Sequence, residues 1–384
     1  MTTLLLVIIY VAFISLGLPD SMLGAAWPVM QVQLSLPLAG AGLVSMIVSG
    51  STIVSSLLSG VLIRRLGTGK LTLISVSMTA LALLGYSFSQ NYLWLCLIAL
   101  PLGLGAGSVD AALNDFVARN FAARHMNWLH SFWGVGATSG PLIMAFMLSQ
   151  TGRWQMGYRT VAIVQFTLVA ILAFSLPLWQ RFPTPTSPHT TTGRVKIRKL
   201  KGIAPNLVAF FAYCAVELST GLWAASFLVQ QRGLSQVLAA GGASAYYLGI
   251  TVGRFLNGFL SSHFKAKNLV RGGVAMILVG IILMFLPFPI LSLAGLMIIG
   301  LGCAPIYPTL LHETPRRFGA ENSATLMGLQ MATAYVGLTL MPPLLGVVVG
   351  RFGLQFFPLG LLLLALLLVF GTERLNKVLA EQQA

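Results

Sequence analysis

The stretch RFPTPTSPHTTTGRVKIRKLKGI, residues 181–203, is the only long polar connection in this chain of 384 residues. It is rich in Pro and Thr and then basic, a composition typical of a flexible linker. Six apolar stretches lie on each side of it, each of roughly the ~20 residues that a helix needs to cross a bilayer. They lie near residues 4–30, 38–63, 71–89, 93–118, 127–149 and 157–180, and near 204–230, 238–262, 270–287, 289–311, 322–349 and 352–371. We therefore predict an all-α membrane protein of twelve transmembrane helices, in two six-helix halves at 1–180 and 204–384.

The composition indicates that lipid is the main solvent of the chain. Hydrophobic residues make up 57% of it, charged residues only 8%, and the mean hydropathy is +0.86. A soluble domain carries roughly 25% charged residues. Apolar runs of this length also exclude an outer-membrane β-barrel, whose strands alternate in polarity and are about half as long. The three cysteines have neither disulfide nor metal spacing, so we predict no metal and no other cofactor.

The net charge of +15 follows a membrane topology. Most of the 23 Lys and Arg residues lie in even-numbered connections, which include the linker, and at the C-terminus. Odd-numbered connections hold only Arg153, Arg159, Arg232 and Arg351. Because cytoplasmic loops are enriched in Lys and Arg, we expect both termini in the cytoplasm and the chain in the cytoplasmic (inner) membrane. A topology signal of this kind argues against a nucleic-acid partner.

The two halves are related in sequence. GLGAG at 103–107 recurs as GLGCA at 300–304, and the short motif that begins at Gly60 recurs at Gly258. These offsets are 197 and 198 residues. No strand precedes the glycines, so we interpret them as small residues that permit close helix packing, and not as a nucleotide-binding loop. Two pseudo-symmetric six-helix halves with a site near the membrane midplane describe the major facilitator fold.

Three of the eight acidic residues interrupt apolar stretches: Asp20, Asp110 and Glu217. An ionisable group at membrane depth costs at least ~2.5–3.5 kcal/mol, so such a residue is a candidate functional site. Asp110 shares a helix face with Asn114 and has no basic residue beside it. Protons, cations or polar substrates are the ligands that such carboxylates suit.

Asp115 lies on a different face of the same stretch, four residues before Arg119. Residues at this spacing are neighbours on a helix. We therefore expect a structural ion pair near the cytoplasmic end of the stretch.

The first apolar stretch contains LGLPDSMLGAAWP at 16–28, in which Gly17 and Pro19 precede Asp20. Proline removes a backbone donor and glycine weakens a helix, so we predict a kink or a local unwinding here. Irregular backbone at membrane depth is tolerated where it lines a cavity. Asp20 is therefore expected to face a central cavity. A structural hydrogen bond to neighbouring backbone or to an arginine is the alternative.

The fifth stretch opens with NWLHSFWGVGA at 127–137. An imidazole titrates near neutral pH, so His130 is a candidate proton relay, with an interfacial hydrogen bond as the equal alternative. The indole of Trp133 suits stacking on a sugar ring or packing against the second stretch.

Amide, phenol and indole groups accompany Glu217 in the second half. Such groups suit a polyhydroxylated ligand, which needs directional hydrogen bonds and flat apolar faces. Interhelical hydrogen bonds and ordinary packing are the alternative for each of them. The substrate-binding residues that we predict in the two halves are Asn114, His130, Trp133, Glu217, Trp223, Tyr247, Tyr307 and Gln330.

Several of these motifs resemble the fucose–proton symporter branch of the major facilitator superfamily. They include VDAALNDFVA at 109–118, NWLHSFWGVGA at 127–137 and YYLGITVGRFLNG at 246–258, and the likeness covers nearly the whole chain. In that branch an acid in span 1 and an acid in span 4 are the proton-coupling and sugar-site carboxylates, which implies these roles for Asp20 and Asp110. The span 4 acid is usually Glu there, so the shorter Asp110 leaves the substrate open.

The superfamily also carries a signature in loop 2–3, where this chain has GVLIRRLGTGK at 60–70. Gly60 and Arg65 fit the signature, whereas Arg64 stands where many members have Asp. The resemblance implies gating roles for these three residues, and we place Arg254 near the same cytoplasmic gate. The alternative is a basic loop that only follows the positive-inside rule.

These patterns predict a proton-coupled secondary transporter that moves a sugar or similar small polar solute as a monomer in the lipid bilayer. A proton-driven drug or metabolite efflux antiporter is the alternative, because its cavity would have a similar composition. A nutrient sensor on the same fold would need a signalling domain, for which the chain has almost no mass outside the membrane. An enzyme is disfavoured, since no nucleophile–base pair, metal spacing or phosphate loop is evident.

Overall fold

The computed structural model describes residues 2–121, 123–180, 182 and 201–381, with helix as the regular structure in these ranges. Apolar runs fold in this way because a backbone in lipid must satisfy its own hydrogen bonds. The predicted all-α class is therefore confirmed. Residues 183–200, which hold most of the predicted linker, lie outside the described part of the chain.

Fifteen α-helices are present in the described ranges. The first seven are α1 (Thr2–Asp20), α2 (Met22–Gln33), α3 (Gly40–Leu66), α4 (Thr68–Tyr86), α5 (Tyr92–Asn120), α6 (Ala123–Thr151) and α7 (Trp154–Trp179). The others are α8 (Ile203–Arg232), α9 (Gln236–Leu260), α10 (Ala266–Phe285), α11 (Pro289–Cys303), α12 (Ile306–His312), α13 (Thr314–Phe318), α14 (Ala320–Phe352) and α15 (Phe357–Glu381).

Within the described ranges, eleven helical spans are long and apolar enough to cross a membrane. The span Thr3–Gln33 comprises α1 and α2, and the span Pro289–His312 comprises α11 and α12. The remaining predicted stretch, 238–262, corresponds to α9, which has 25 residues. This helix is not one of the eleven spans, and its sequence includes Arg254 and two tyrosines.

The chain separates into two compact units. The first comprises Met1–Pro188 with Leu234–Ser244, and the second comprises His189–Gly233 with Ala245–Ala384. The exact division into 1–180, 181–203 and 204–384 stays a prediction.

In the first unit, α3 and α4 both pack along α5, and α1 packs along α6. Gly103 lies at the crossing of α3 and α5, where an added Cβ would be 2.2 Å from the Val48 carbonyl oxygen. No larger residue fits at that distance, so the two backbones touch directly. Thr52 reinforces the crossing, because its Oγ1 donates to the Gly103 carbonyl at 3.2 Å.

The second unit repeats this contact. An added Cβ at Gly300 in α11 would lie 2.1 Å from the carbonyl oxygen of Tyr246 in α9. Gly103 and Gly300 are the first glycines of GLGAG and GLGCA, so the repeated motif performs the same packing role in each unit. The interpretation of these glycines as packing residues is confirmed.

The first span is interrupted at the predicted place. α1 ends at Asp20 and α2 begins at Met22, with Ser21 as the turn between them. Ser21 Oγ donates to the Leu18 carbonyl at 3.3 Å, which takes up one acceptor near the break. Ser21 keeps backbone angles in the right-handed helical region (φ −101°, ψ −11°), so Asp20 lies at a one-residue irregularity inside a membrane span.

Candidate functional site

Asp20 keeps an exposed surface although it lies inside a membrane span. We expect an exposed carboxylate in an apolar span to border a recess, because lipid does not solvate its charge. The helix break at Ser21 makes this placement possible, because irregular backbone is tolerated at membrane depth where it borders such a recess. The expectation that Asp20 faces a cavity is consistent with this environment.

Trp133 holds the Asp20 carboxylate. The indole Nε1–H donates to Asp20 Oδ2 at 2.8 Å, which joins α6 to the end of α1. From the sequence, sugar stacking and packing are both open for Trp133, and a structural partner of Asp20 is expected to be backbone or an arginine. The partner is an indole 113 positions away in sequence.

Asp110 is held by Asn114, as their four-residue spacing predicted. Asn114 Nδ2 donates to Asp110 Oδ1 at 2.9 Å and to the Asp110 carbonyl at 3.0 Å. Asp20 and Asp110 are close enough to interact electrostatically. The first unit therefore brings together the two carboxylates that the sequence assigned to proton coupling.

Other acidic residues differ from Asp20 and Asp110 because their partners are positively charged arginines. Arg119 donates to Asp115 Oδ1 at 2.8 Å through Nε, so the predicted structural ion pair is confirmed. Among the described residues, further acid–arginine pairs are Glu217–Arg254, Glu313–Arg316, Glu313–Arg317 and Arg271–Glu373. None of the ion pairs in the described ranges includes Asp20 or Asp110, whose hydrogen-bond donors are neutral.

His130 lies exposed on α6, three residues before Trp133. Its ring meets Phe13 of α1 edge-on, with 5.9 Å between ring centroids. The imidazole is therefore placed on the helix pair that holds Asp20. A role in proton relay stays a prediction.

In the second unit, Glu217 on α8 pairs with Arg254 on α9, with 3.4 Å between Oε1 and Nη2. Both side chains are mostly buried, with relative exposures of 21% and 18%. Tyr246 adds a second link between these helices, because its hydroxyl donates to the Glu217 carbonyl at 2.8 Å. Arg254, which the sequence analysis placed among the gating residues, is thus the charge partner of the predicted substrate residue Glu217.

The two predicted tyrosines of this unit have different surroundings. Tyr307 follows the break between α11 and α12 and is half-buried, with its ring against Phe210 and Tyr213. Tyr247 is buried on α9, and its hydroxyl occupies the space beside Gly221 of α8. Tyr307 is therefore the more accessible of the two.

Trp223 and Gln330 require a correction. Trp223 is fully buried, and its indole donates to the Pro342 carbonyl at 2.9 Å. Gln330 is also fully buried and exchanges a hydrogen bond with Thr314 at 3.0 Å. The polar groups of both side chains form hydrogen bonds within the protein. This is the interhelical role that is the alternative to substrate binding. We therefore remove both from the candidate substrate-binding set.

The predicted gating residues of loop 2–3 lie at the end of α3. Arg64 and Arg65 are exposed in its last turn, and Gly60 has ample room, since an added Cβ would meet only Arg64 at 3.7 Å. Packing therefore does not explain a glycine at position 60. The gating assignment stays a prediction.

Sequence reasoning missed Gln165 on α7. This fully buried amide donates to the Ser15 carbonyl at 2.7 Å and accepts from Thr79 Oγ1 at 2.8 Å. It thereby ties α1, α4 and α7 together near the helix that ends at Asp20. The available signal was a lone amide within an otherwise apolar stretch, which at membrane depth requires partners.

The arrangement suits the binding of protons and of small polar molecules. Within the described ranges, no three His, Cys, Asp or Glu side chains are grouped to hold a metal ion. The candidate site residues of the first unit supply two carboxylates, an amide, an imidazole and an indole. Those of the second unit supply an ion pair and tyrosine hydroxyls. Apart from Tyr247 and Arg254 on α9, these residues lie on the eleven spans that are long and apolar enough to cross a membrane.

Known proteins share this fold along almost the entire chain. A bacterial homologue of the human lysosomal transporter Spinster, solved in an inward-facing and occupied conformation, superposes with a TM-score of 0.74 at 12% identity, covering 98% of this chain and 96% of that one. A mutant of the nucleoside transporter NupG gives a TM-score of 0.75 at 14% identity, with coverages of 97% and 98%. At these identities the likeness is one of fold.

Sequence comparison narrows the relationship. The glucose/mannose transporter GlcP of Bacillus subtilis (strain 168) is 25% identical over 279 residues, which cover 66% of this chain and 67% of that protein. The sequence model of the Major Facilitator Superfamily matches residues 9–337 and 206–383 of this chain. The chain therefore belongs to the Major Facilitator Superfamily and is a multi-pass membrane transporter rather than an enzyme.

Proposed function

We propose that the protein is a proton-coupled symporter of a sugar or similar small polar solute, with Asp20 and Asp110 as the proton-binding residues. The observation that carries the proposal is the pairing of both carboxylates with neutral donors, Trp133 and Asn114. A carboxylate beside arginine stays ionised, because the cation stabilises its charge. A carboxylate beside a neutral donor can gain and lose a proton as its surroundings change.

Alternating access supplies that change of surroundings. A wet surface favours the ionised carboxylate, whereas a closed, low-dielectric surrounding favours the protonated acid. Asp20 lies at the helix break and keeps an exposed surface, so a proton can reach it. Protonation removes the charge that would oppose closure of the site around its solute. Proton binding is thereby linked to the transition between the state open to one side of the membrane and the state open to the other.

A sugar is the solute class that the polar groups support best. The Bacillus subtilis relative is named as a glucose/mannose transporter, and it matches about two thirds of this chain. The motif resemblance to the fucose–proton symporter branch also favours a monosaccharide. Candidate binding residues are Asn114, His130, Trp133, Glu217, Arg254, Tyr247 and Tyr307.

Counterflow in proteoliposomes tests the solute class directly. Vesicles loaded with unlabelled D-glucose, D-mannose or L-fucose should accumulate the corresponding labelled sugar transiently. Vesicles loaded with the lipophilic cation tetraphenylphosphonium serve as the comparison, because a drug antiporter would exchange that cation. Exchange of the cation without exchange of any of the three sugars would contradict the proposal and favour the efflux antiporter.

A further inference from the structure

Trp133 connects the proposed proton site to a surface suited to a sugar ring. Its Nε1–H lies 2.8 Å from Asp20 Oδ2. An indole N–H can only donate, and an ionised carboxylate is a stronger acceptor than a protonated one. The bond between α6 and the end of α1 is therefore stronger when Asp20 carries its charge.

Backbone contacts fix the positions of the two helices around this bond. An added Cβ at Gly17 would lie 2.1 Å from the Trp133 carbonyl oxygen, and one at Gly136 would lie 2.0 Å from the Ile14 carbonyl oxygen. α1 and α6 therefore touch backbone to backbone beside the hydrogen bond. Any response to the charge of Asp20 must come from the side chains or from the break at Ser21.

The ring of Trp133 offers a second function beside its N–H. One part of it packs against the apolar cluster of the first unit, which includes Phe13 and Leu129. The side chain is only partly buried, so ring surface remains for another ligand. Flat indole faces suit the apolar face of a sugar ring, while the polar edge takes part in hydrogen bonding.

We propose that Trp133 is a positioning residue that makes sugar binding depend on the protonation state of Asp20, an inference that rests on the proposed function above. With Asp20 ionised, the carboxylate holds the indole N–H. With Asp20 protonated, the carboxyl O–H becomes a donor and the indole N–H is released. Both donors can then serve hydroxyl oxygens of a sugar stacked on the ring, so proton and sugar favour each other's binding.

Asp20 has other titratable neighbours, which the test must separate from it. Asp110 on α5 is the acid that interacts with it electrostatically. No titratable residue lies on α2. Among the described residues, the titratable or charged groups on α1 and on the other helices packed against it are Tyr10, Tyr92, Cys96, Asp115, Arg119, His125, His130, Tyr158 and Arg159.

The first arm of the test measures thermal stability and needs no sugar. Trp133→Phe keeps an aromatic ring and removes the donor, so the Tm difference from wild type should be larger at pH 8.5 than at pH 5. The reason is that the lost bond is strongest to the ionised acid. In an Asp20→Asn background, Trp133→Phe should lower Tm equally at both pH values, which separates Asp20 from its neighbours.

Trp94→Phe is the matched control. This variant also loses an indole N–H, but that group donates to the neutral carbonyl of Gly85 at 2.9 Å. Its effect on Tm should be the same at both pH values.

The second arm measures binding of D-glucose and D-mannose to the purified protein from pH 5 to pH 9. Affinity of the wild type should fall as pH rises, and Trp133→Phe should move the midpoint of that fall upwards by about one pH unit, as expected for the loss of one charge-assisted hydrogen bond. Trp94→Phe should leave the midpoint in place.

A thermal difference that is independent of pH, or a binding midpoint that Trp133→Phe does not move, would overturn the inference. If sugars bind and the midpoint stays, only the role of Trp133 fails. If the wild type binds neither sugar and also shows no sugar counterflow, the proposed function is contradicted. The inference that Trp133 couples sugar binding to Asp20 is then contradicted as well. The thermal arm still reports in that case whether the Trp133 bond depends on the charge of Asp20.

Discussion

At the scale of the residue, two carboxylates on the same helix differ in the charge of their partners. Asp115 pairs with the cationic Arg119 at a partly exposed position. Protonation of Asp110 leaves a neutral acid beside the neutral amide of Asn114, which lipid tolerates. Five positions along α5 thus separate a carboxylate in an ion pair from one whose hydrogen-bond donor is neutral.

The ion pair in the second unit makes a prediction at the same scale. Replacing Arg254 by Gln leaves the Glu217 charge without its partner in a mostly buried site. We expect a loss of stability on the order of 2 kcal/mol, below the ~3–5 kcal/mol for fully buried pairs because each side chain keeps some exposure. Glu217→Gln should also destabilise, because it leaves the guanidinium uncompensated. Thermal unfolding in detergent measures both effects.

The double variant Glu217→Gln with Arg254→Gln is the control for that experiment. It removes both charges together, so it should be more stable than Arg254→Gln alone. A double variant as unstable as the sum of the two single variants would show that the residues do not act as a pair.

At the scale of the element, glycines determine how closely the helices approach. Gly136→Ala should destabilise the first unit by about 1–3 kcal/mol or more, because the new Cβ would overlap the Ile14 carbonyl oxygen. Gly50→Ala is the matched control on α3, since an added Cβ there has no neighbour within 4 Å. Its stability should be unchanged or slightly raised, because Ala favours helix more than Gly does. Equal Tm values for the two variants would contradict this account of α1–α6 packing.

Features local in sequence were predictable at this scale, and contacts between distant residues were not. Gly17 and Pro19 predicted the interruption before Met22, because both residues weaken a helix in any surroundings. The i, i+4 bonds of Asp110 and Asp115 follow from helix periodicity. By contrast, no periodicity relates Trp133 to Asp20 or Arg254 to Glu217, since each pair depends on how separate helices are placed side by side.

Burial explains the substrate candidates that had to be corrected. Trp223 and Gln330 have side chains suited to a sugar, and sequence alone does not reveal whether an indole or amide faces a recess or another helix. The structure shows Pro342 and Thr314 as their partners. Polar groups on membrane helices commonly bind across helices, so residue type is a weaker guide than position.

At the scale of the whole molecule, the distribution of basic residues makes a topological prediction. On a background without Cys96, Cys214 and Cys303, single cysteines at Arg153 and Lys70 report the two sides of the membrane, since both positions are exposed. A membrane-impermeant maleimide should label Arg153→Cys in intact cells and Lys70→Cys only after permeabilisation. The reverse pattern would contradict cytoplasmic termini.

The proposal that Asp20 and Asp110 couple a proton to a sugar is tested most directly in proteoliposomes by a pH indicator in the outer medium. Addition of D-glucose, D-mannose or L-fucose should alkalinise that medium around wild-type protein, as the transported sugar carries protons inwards. Asp20→Asn and Asp110→Asn should each abolish this signal, whereas Asp115→Asn should retain it, because its carboxylate only pairs with Arg119 at a partly exposed position. Unchanged proton uptake in both Asp20→Asn and Asp110→Asn would contradict the proposal.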